Sequence, residues 1–290
     1  MKKLLALGLC TASLATFAPA CGDDGETTPS GSGAITFTSW GEEYIEVELP
    51  TSEFEDGFSV TFDKFLVLVG NISVADDTGA VAASDERFFL LDHKEAGVKE
   101  LVKFEGLEAG AYTIVSYETS PASRDAITLV GAVTEADADM MASMGYHVYV
   151  EGTLTGSMGS KTFQWGYGVP TLLDDCEGER DGTVTPGAVV TEGGDDVIEL
   201  TIHGDHFFYD DLQAENAVLR GQAIFDADAD DDDVVTREEL AAVQLVALPA
   251  DEYGTGGVDG VNDLDAFVQF LTRTVGHFRG EGECFLRSPE

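Results

Sequence analysis

Two groups of side chains in this sequence have the types and spacing to do chemistry. From Asp226 to Glu239 the chain reads Asp-Ala-Asp228-Ala-Asp230-Asp-Asp232-Asp233-Val234-Val235-Thr236-Arg-Glu-Glu239, with carboxylates at alternate positions. Ca2+ takes about six to eight hard oxygen ligands, and alternate residues of a turning loop can supply them. The second group is His203-Gly-Asp205-His206 together with His277, which lies close to Glu281, Glu283 and Cys284. Imidazole nitrogens suit copper or zinc. The three histidines converge as a second metal site on the condition that a disulfide draws the C-terminal segment onto the strand end that carries His203. Taken singly, each is equally an ordinary hydrogen-bonded residue. A hydrolase reading of His-Gly-Asp-His lacks the further Asp, Asn and His motifs of metallohydrolases. Nucleophile-elbow, Walker and Rossmann patterns are absent from the sequence, so the expectation is a non-enzymatic protein.

The acidic run resembles the EF-hand calcium loop, and only one frame satisfies it. Starting at Asp228 puts Asp228, Asp230 and Asp232 at loop positions 1, 3 and 5, the Val234 carbonyl at 7, Thr236 at 9 and Glu239 at 12. A start at Asp226 would put Arg237 last, and a start at Asp230 would put Val234 at position 5. The resemblance implies Ca2+ as cofactor, a helix on either side, and Val235 at the place where paired loops form a short β-bridge. Asp233 stands where the family has glycine, and a positive φ there costs about 1 kcal/mol. Affinity in the extracellular range of about 10⁻⁴ to 10⁻³ M follows. Residues 251–265 occupy the place of a partner loop without its acids, and read as a degenerate partner that contributes packing.

Both groups need elements to position them. From about Ala34 to Thr201, short β-branched and aromatic runs such as AITFTSW, FSVTFDKFLVLVGNISV, YHVYVEGTL, KTFQWGYGV and VIELTIHG alternate with Gly, Asp and Pro punctuation. A sandwich is the natural closure. The segment Phe104-Glu-Gly-Leu-Glu-Ala-Gly-Ala-Tyr112-Thr resembles the turn and strand of transthyretin-like β-sandwich modules. Residues 177–196 read as an exposed loop, and the acidic aromatic turns Trp40–Tyr44 and Glu53–Gly57 as ordinary connections with carboxylates to spare for a ligand or second cation. After Asp210 the apolar period changes to that of helices: Leu212, Ala217, Val218, Gly221, Ile224 and Phe225, then Leu240 to Leu248, then a helix capped by Asn262. The expected fold class is α+β, an N-terminal antiparallel β-sandwich followed by a small helical EF-hand-like subdomain. The boundaries are 1–20 signal peptide, 21–33 tether, 34–208 sandwich and 209–290 helical subdomain.

The chain has 290 residues, and 15 Lys and Arg against 55 Asp and Glu give a net charge of −40. Such a field repels nucleic acid and anionic lipid and concentrates divalent cations, which are the expected partners; no protein or glycan partner can be named. Lys2 and Lys3 precede an apolar run of about 14 residues, Leu4 to Phe17, shorter than the roughly 18 needed to span a bilayer. The run ends in Ala18-Pro19-Ala20-Cys21, which resembles a bacterial lipobox. That resemblance implies lipidation at Cys21 and attachment to the membrane through the lipid only. Gly22 after it favours the outer over the inner membrane by known sorting rules. With Cys10 removed and Cys21 lipidated, Cys176 and Cys284 remain as one pair for a disulfide in an oxidising compartment.

Overall fold

The computed structural model describes residues 31–180, 183–213, 217–249 and 252–289; Cys21, with the expected signal and residues 21–30 of the expected tether, lies outside them, whereas Ser32 and Gly33 of that tether belong to the first strand. Most of this chain is strand. The long strand Ser59–Ala75, SVTFDKFLVLVGNISVA, is the spine of the larger sheet. It pairs antiparallel with Val81–Asp92, with Ile114–Thr119 and with Val148–Gly156, which in turn pairs with Gly159–Tyr167. Its central run is buried on both faces, as its unbroken apolar sequence requires. One face meets the main core and the other a small cluster in which Leu66, Leu68 and Leu90 pack on Met141 of the helix Glu135–Met144.

A four-stranded sheet lies against this spine. Its order is Gly276–Phe278, Asp195–Ile202, Ser32–Gly41, Lys99–Glu108. The pairing of Ser32–Gly41 with Asp195–Ile202 is parallel, in register from Ala34↔Asp195 to Gly41↔Ile202. Both strands therefore end on the same level. Apolar residues Ile35, Phe37, Ile198, Leu200 and Ile202 face the core from this sheet, all essentially inaccessible to solvent.

The expected helical subdomain is not formed. Residues after 209 are woven into the sheets: Val234–Val235 pairs with Gly159–Tyr167, Gly276–Phe278 with Asp195–Ile202, and Glu283–Arg287 with Thr171–Arg180. The fold is thus a multi-sheet, sandwich-like β structure with short helices, and the α+β reading with a separate helical unit is corrected. Apolar residues at helical spacing misled because irregular segments that line a core also bury every third or fourth side chain. Leu219 is buried through bridges to Phe54 and Tyr209, and the first expected helix shrinks to Gln222–Phe225. The second is Arg237–Ala242 and the third Leu264–Leu271. The cap of the third is Asp263, which accepts from Ala266 N, and Asn262 lies one residue outside. Residues 177–196 also differ from expectation, since Thr183–Pro186 and Ala188–Val190 pair as strands. Tyr112, from the transthyretin-like segment, is buried and donates its hydroxyl to the Glu108 carbonyl.

The Cys176–Cys284 disulfide is formed. It ties the C-terminal strand Glu283–Arg287 to Thr171–Arg180 and so holds the preceding strand, which carries His277, against Asp195–Ile202. No helix among the described residues is long and apolar enough to cross a membrane.

Candidate metal centre

Strand register explains why three histidines meet. In the antiparallel pair, Thr201 lies opposite His277. Side chains two residues apart on a strand share a face, so His203, just beyond the strand end, projects beside His277 as its diagonal neighbour. The His203 amide donates to the Val275 carbonyl and extends the ladder by one step, and the two rings lie 4.2 Å apart. His206 arrives from the turn Asp205–Phe208. That turn is anchored by Phe207 and Phe208, which insert into the aromatic core against Phe65 and Phe54 with ring separations of 5.7 and 5.6 Å. Burial of two such rings stabilises the turn by roughly 1.5–3 kcal/mol each. His203, His206 and His277 are all buried, and each offers a ring nitrogen within 4.8 Å of the others.

Hydrogen bonding sets one tautomer. The Thr274 hydroxyl donates to the Leu271 carbonyl at 2.8 Å. Its oxygen stands 2.7 Å from His206 Nδ1 and must accept there, so Nδ1 carries the proton and Nε2 keeps its lone pair. That lone pair faces His277 Nε2 at 3.3 Å. Among the described residues, His277 Nδ1 has no hydrogen-bond partner.

Two carboxylates flank the histidines. Glu42 leaves the first strand where His203 leaves its parallel partner, and its Oε1 accepts from Gly204 N at 2.8 Å while Oε2 lies 3.5 Å from His203 Nδ1. Asp205 accepts from the Tyr209 hydroxyl through Oδ2, and its buried Oδ1 has no partner among the described residues. Glu42, His203 and Asp205 form a second group of potential ligands within 4.8 Å. Burial, and then the charge on Asp205, pushes the Glu42 carboxyl up to about 8. Burial, and then the charge on His277, lowers His203 to about 4. His206 is held well below its ordinary value by burial, then by His277 and His203. Both imidazoles are therefore neutral near pH 7 and available to a metal without losing a proton. Thr274 and Tyr209 had no signal in the sequence; Glu42 lay in an acidic turn that had one, but nothing local linked it to His203.

The other two histidines have structural roles: His93 Nε2 meets Ser39 Oγ at 2.9 Å, and His147 receives the Val169 amide on Nδ1 while Nε2 meets the Thr272 carbonyl.

The acidic loop lies elsewhere on the sheet. Asp228, Asp230 and Glu239 bring carboxylate oxygens within 4.8 Å of one another, and Asp233 adopts φ 63°. Asp232 is exposed, accepts from Val234 N, and does not join that group. Thr236 and Glu239 cap the helix Arg237–Ala242 reciprocally. Val235 bridges to Phe163 of the large sheet in place of a second loop, and its carbonyl accepts from Trp165 Nε1. Lys161 Nζ lies 2.9 Å from Asp228 Oδ2, which holds Asp228 below the usual carboxylate range, whereas the charges of Asp232 and then burial raise Asp230. Of residues 251–265, the expected degenerate partner, the described part packs through Tyr253 on Phe267 and bridges Asp263 to Gln244.

No family model matches this sequence, and no curated protein matches it. Among solved structures, MbnP from Methylosinus trichosporium matches over 61% of this chain and 77% of its own, at 12% identity and a TM-score of 0.31. An overlap that loose carries neither fold nor function across. The class is therefore given by the molecule itself, a β-rich protein with a buried tri-histidine group.

Proposed function

We propose that this protein binds a single copper or zinc ion through His203, His206 and His277, and that it does so as an exported, lipid-anchored, non-enzymatic protein of the bacterial envelope. The observation that supports the metal is the 3.3 Å between His206 Nε2 and His277 Nε2. Two nitrogens bound to one ion at about 2.0–2.1 Å, at a tetrahedral angle, stand about 3.3–3.4 Å apart. The spacing also matches a simple hydrogen bond, and the choice between them rests on chemistry. A buried group of three imidazoles, two of them held neutral, is an unfavourable place for protons and a favourable one for a borderline-soft cation. The disulfide is in keeping with an oxidising compartment. Metal analysis of the purified chain, with separate Cu(II), Zn(II) and Ca(II) titrations of wild type and His206→Ala, tests the reading. One tight equivalent of copper or zinc, lost in the variant, is expected; no tight binding, or binding unchanged by the substitution, would sink it.

A second reading, calcium at Asp228, Asp230 and Glu239, is favoured by the convergence of their oxygens. A calcium ion there has to displace the Lys161 ammonium from Asp228. The binding expected is accordingly weak.

A further inference from the structure

A cleft of about 320 Å³ opens beside the histidines. His206 and His277 line it and His203 does not, so an ion held among the three rings would be reached from this side. Its walls carry Leu173, Leu212, Leu271 and Leu286, with Asp211 and Glu283 as the carboxylates among its lining. Gly276 also belongs to the wall, and a Cβ there would stand 2.9 Å from the Tyr117 hydroxyl, a fully buried group without a hydrogen-bond partner among the described residues. The cleft falls within the size range of small-molecule sites, which are mostly apolar with a few polar groups.

We infer that the metal keeps one coordination position open to this cleft and takes there a small neutral nitrogen-donor ligand of the imidazole class. The inference rests on the metal reading above. Three protein ligands on a four-coordinate ion leave one place for an exogenous ligand. Four leucines favour a ligand with an apolar body. The carboxylates of Asp211 and Glu283, in a chain of net charge −40, disfavour an anion at the same position.

The test uses the full chain loaded with Co(II), whose visible spectrum reports coordination, titrated with imidazole and separately with sodium azide. Imidazole should shift the spectrum saturably at one equivalent per metal, and azide should bind at least ten-fold more weakly. Leu286, 39% exposed, tolerates a larger side chain at the cleft wall. Leu286→Trp should therefore retain Co(II) stoichiometry and spectrum while weakening imidazole at least ten-fold. Loaded protein that ignores imidazole, prefers azide, or responds identically in Leu286→Trp overturns the inference and leaves the metal reading intact. Failure to take up Co(II), or uptake unchanged in His206→Ala, overturns the metal reading and the inference with it.

Discussion

Glu42 Oε2 lies 3.5 Å from His203 Nδ1 because each residue directly follows one of two parallel strands that end together, Gly41 opposite Ile202. The Glu42 amide donates to the Ile202 carbonyl at 3.1 Å, continuing the pairing past the last registered residues. A raised carboxyl and a depressed imidazole thus share one buried corner.

This pairing predicts a dome-shaped dependence of metal-free stability on pH. His203, at about 4 when folded, takes no proton between that value and the unfolded value near 6.5, while the unfolded chain does; stability therefore rises with pH across that window. Glu42, at about 8 when folded and near 4.5 when unfolded, holds its proton longer in the folded state, so its contribution is present at low pH and is lost as pH rises toward 8. His206, His93 and His147, also depressed by burial, add to the acid-side rise, so thermal melts at constant ionic strength should peak near pH 6.5, where that rise ends and the loss from Glu42 remains. Glu42→Gln should flatten the alkaline side; an unchanged alkaline slope would show that the carboxyl is not the titrating group.

Thr274 fixes His206 through its oxygen alone. Thr274→Val keeps the shape and removes the acceptor, freeing the ring to take its other tautomer. Copper or zinc affinity should fall about 10- to 100-fold, the usual scale for a lost outer partner of a ligating histidine. Thr274→Ser should restore it. Calorimetric titration distinguishes this from general damage, because the valine variant should melt within a few degrees of wild type when metal-free.

At the acidic loop, Glu239 is a poor residue to remove, since it is the N3 half of the capping box with Thr236 and Glu239→Ala would loosen the helix start without any calcium effect. Asp230 is exposed and is raised by its neighbours' charge. Asp230→Asn should leave the calcium-free melt unchanged or slightly higher, and should abolish a calcium-induced rise. Calcium at 100 times its dissociation constant would supply about 2.7 kcal/mol in wild type. An equal rise in both proteins would make the loop a plain acidic surface.

The disulfide closes a loop across a sequence separation of 108 residues. Chain-entropy estimates for such a loop are roughly 4–5 kcal/mol as an upper expectation. Reduction should lower the melting temperature, and metal affinity should fall with it, because Cys284 lies in the cleft lining beside His277. Reduced protein with full affinity for copper or zinc would show that the C-terminal strand seats His277 unaided.

The strand runs and the Cys176–Cys284 pairing were legible in the sequence, since both follow from local composition and thiol count. The meeting of the histidines was legible only on condition of that disulfide. The place of Glu42 was not, because parallel pairing of Ser32–Gly41 with Asp195–Ile202 leaves no local mark in either strand. The helical subdomain failed for a related reason. Leu212 and Val218 match the helical period but lie outside any helix, their amides donating to the Gly254 carbonyl and to Asp210 Oδ1, and apolar residues placed so imitate a helical period without the backbone that the period implies.

The parallel pairing of the first strand has a consequence in time. Thr36 and Asp195, hydrogen bonded through their side chains, are separated by 159 residues, and His277 joins from later still. Contacts so far apart in sequence form slowly, after local hairpins. A chain in which Gly276–Phe278 has yet to pair with Asp195–Ile202 therefore has no such centre to offer a metal. An ion at the proposed centre would be taken up only by a molecule in which Ser32–Gly41, Asp195–Ile202 and Gly276–Phe278 have already paired, and bound metal would then be a record that folding is finished.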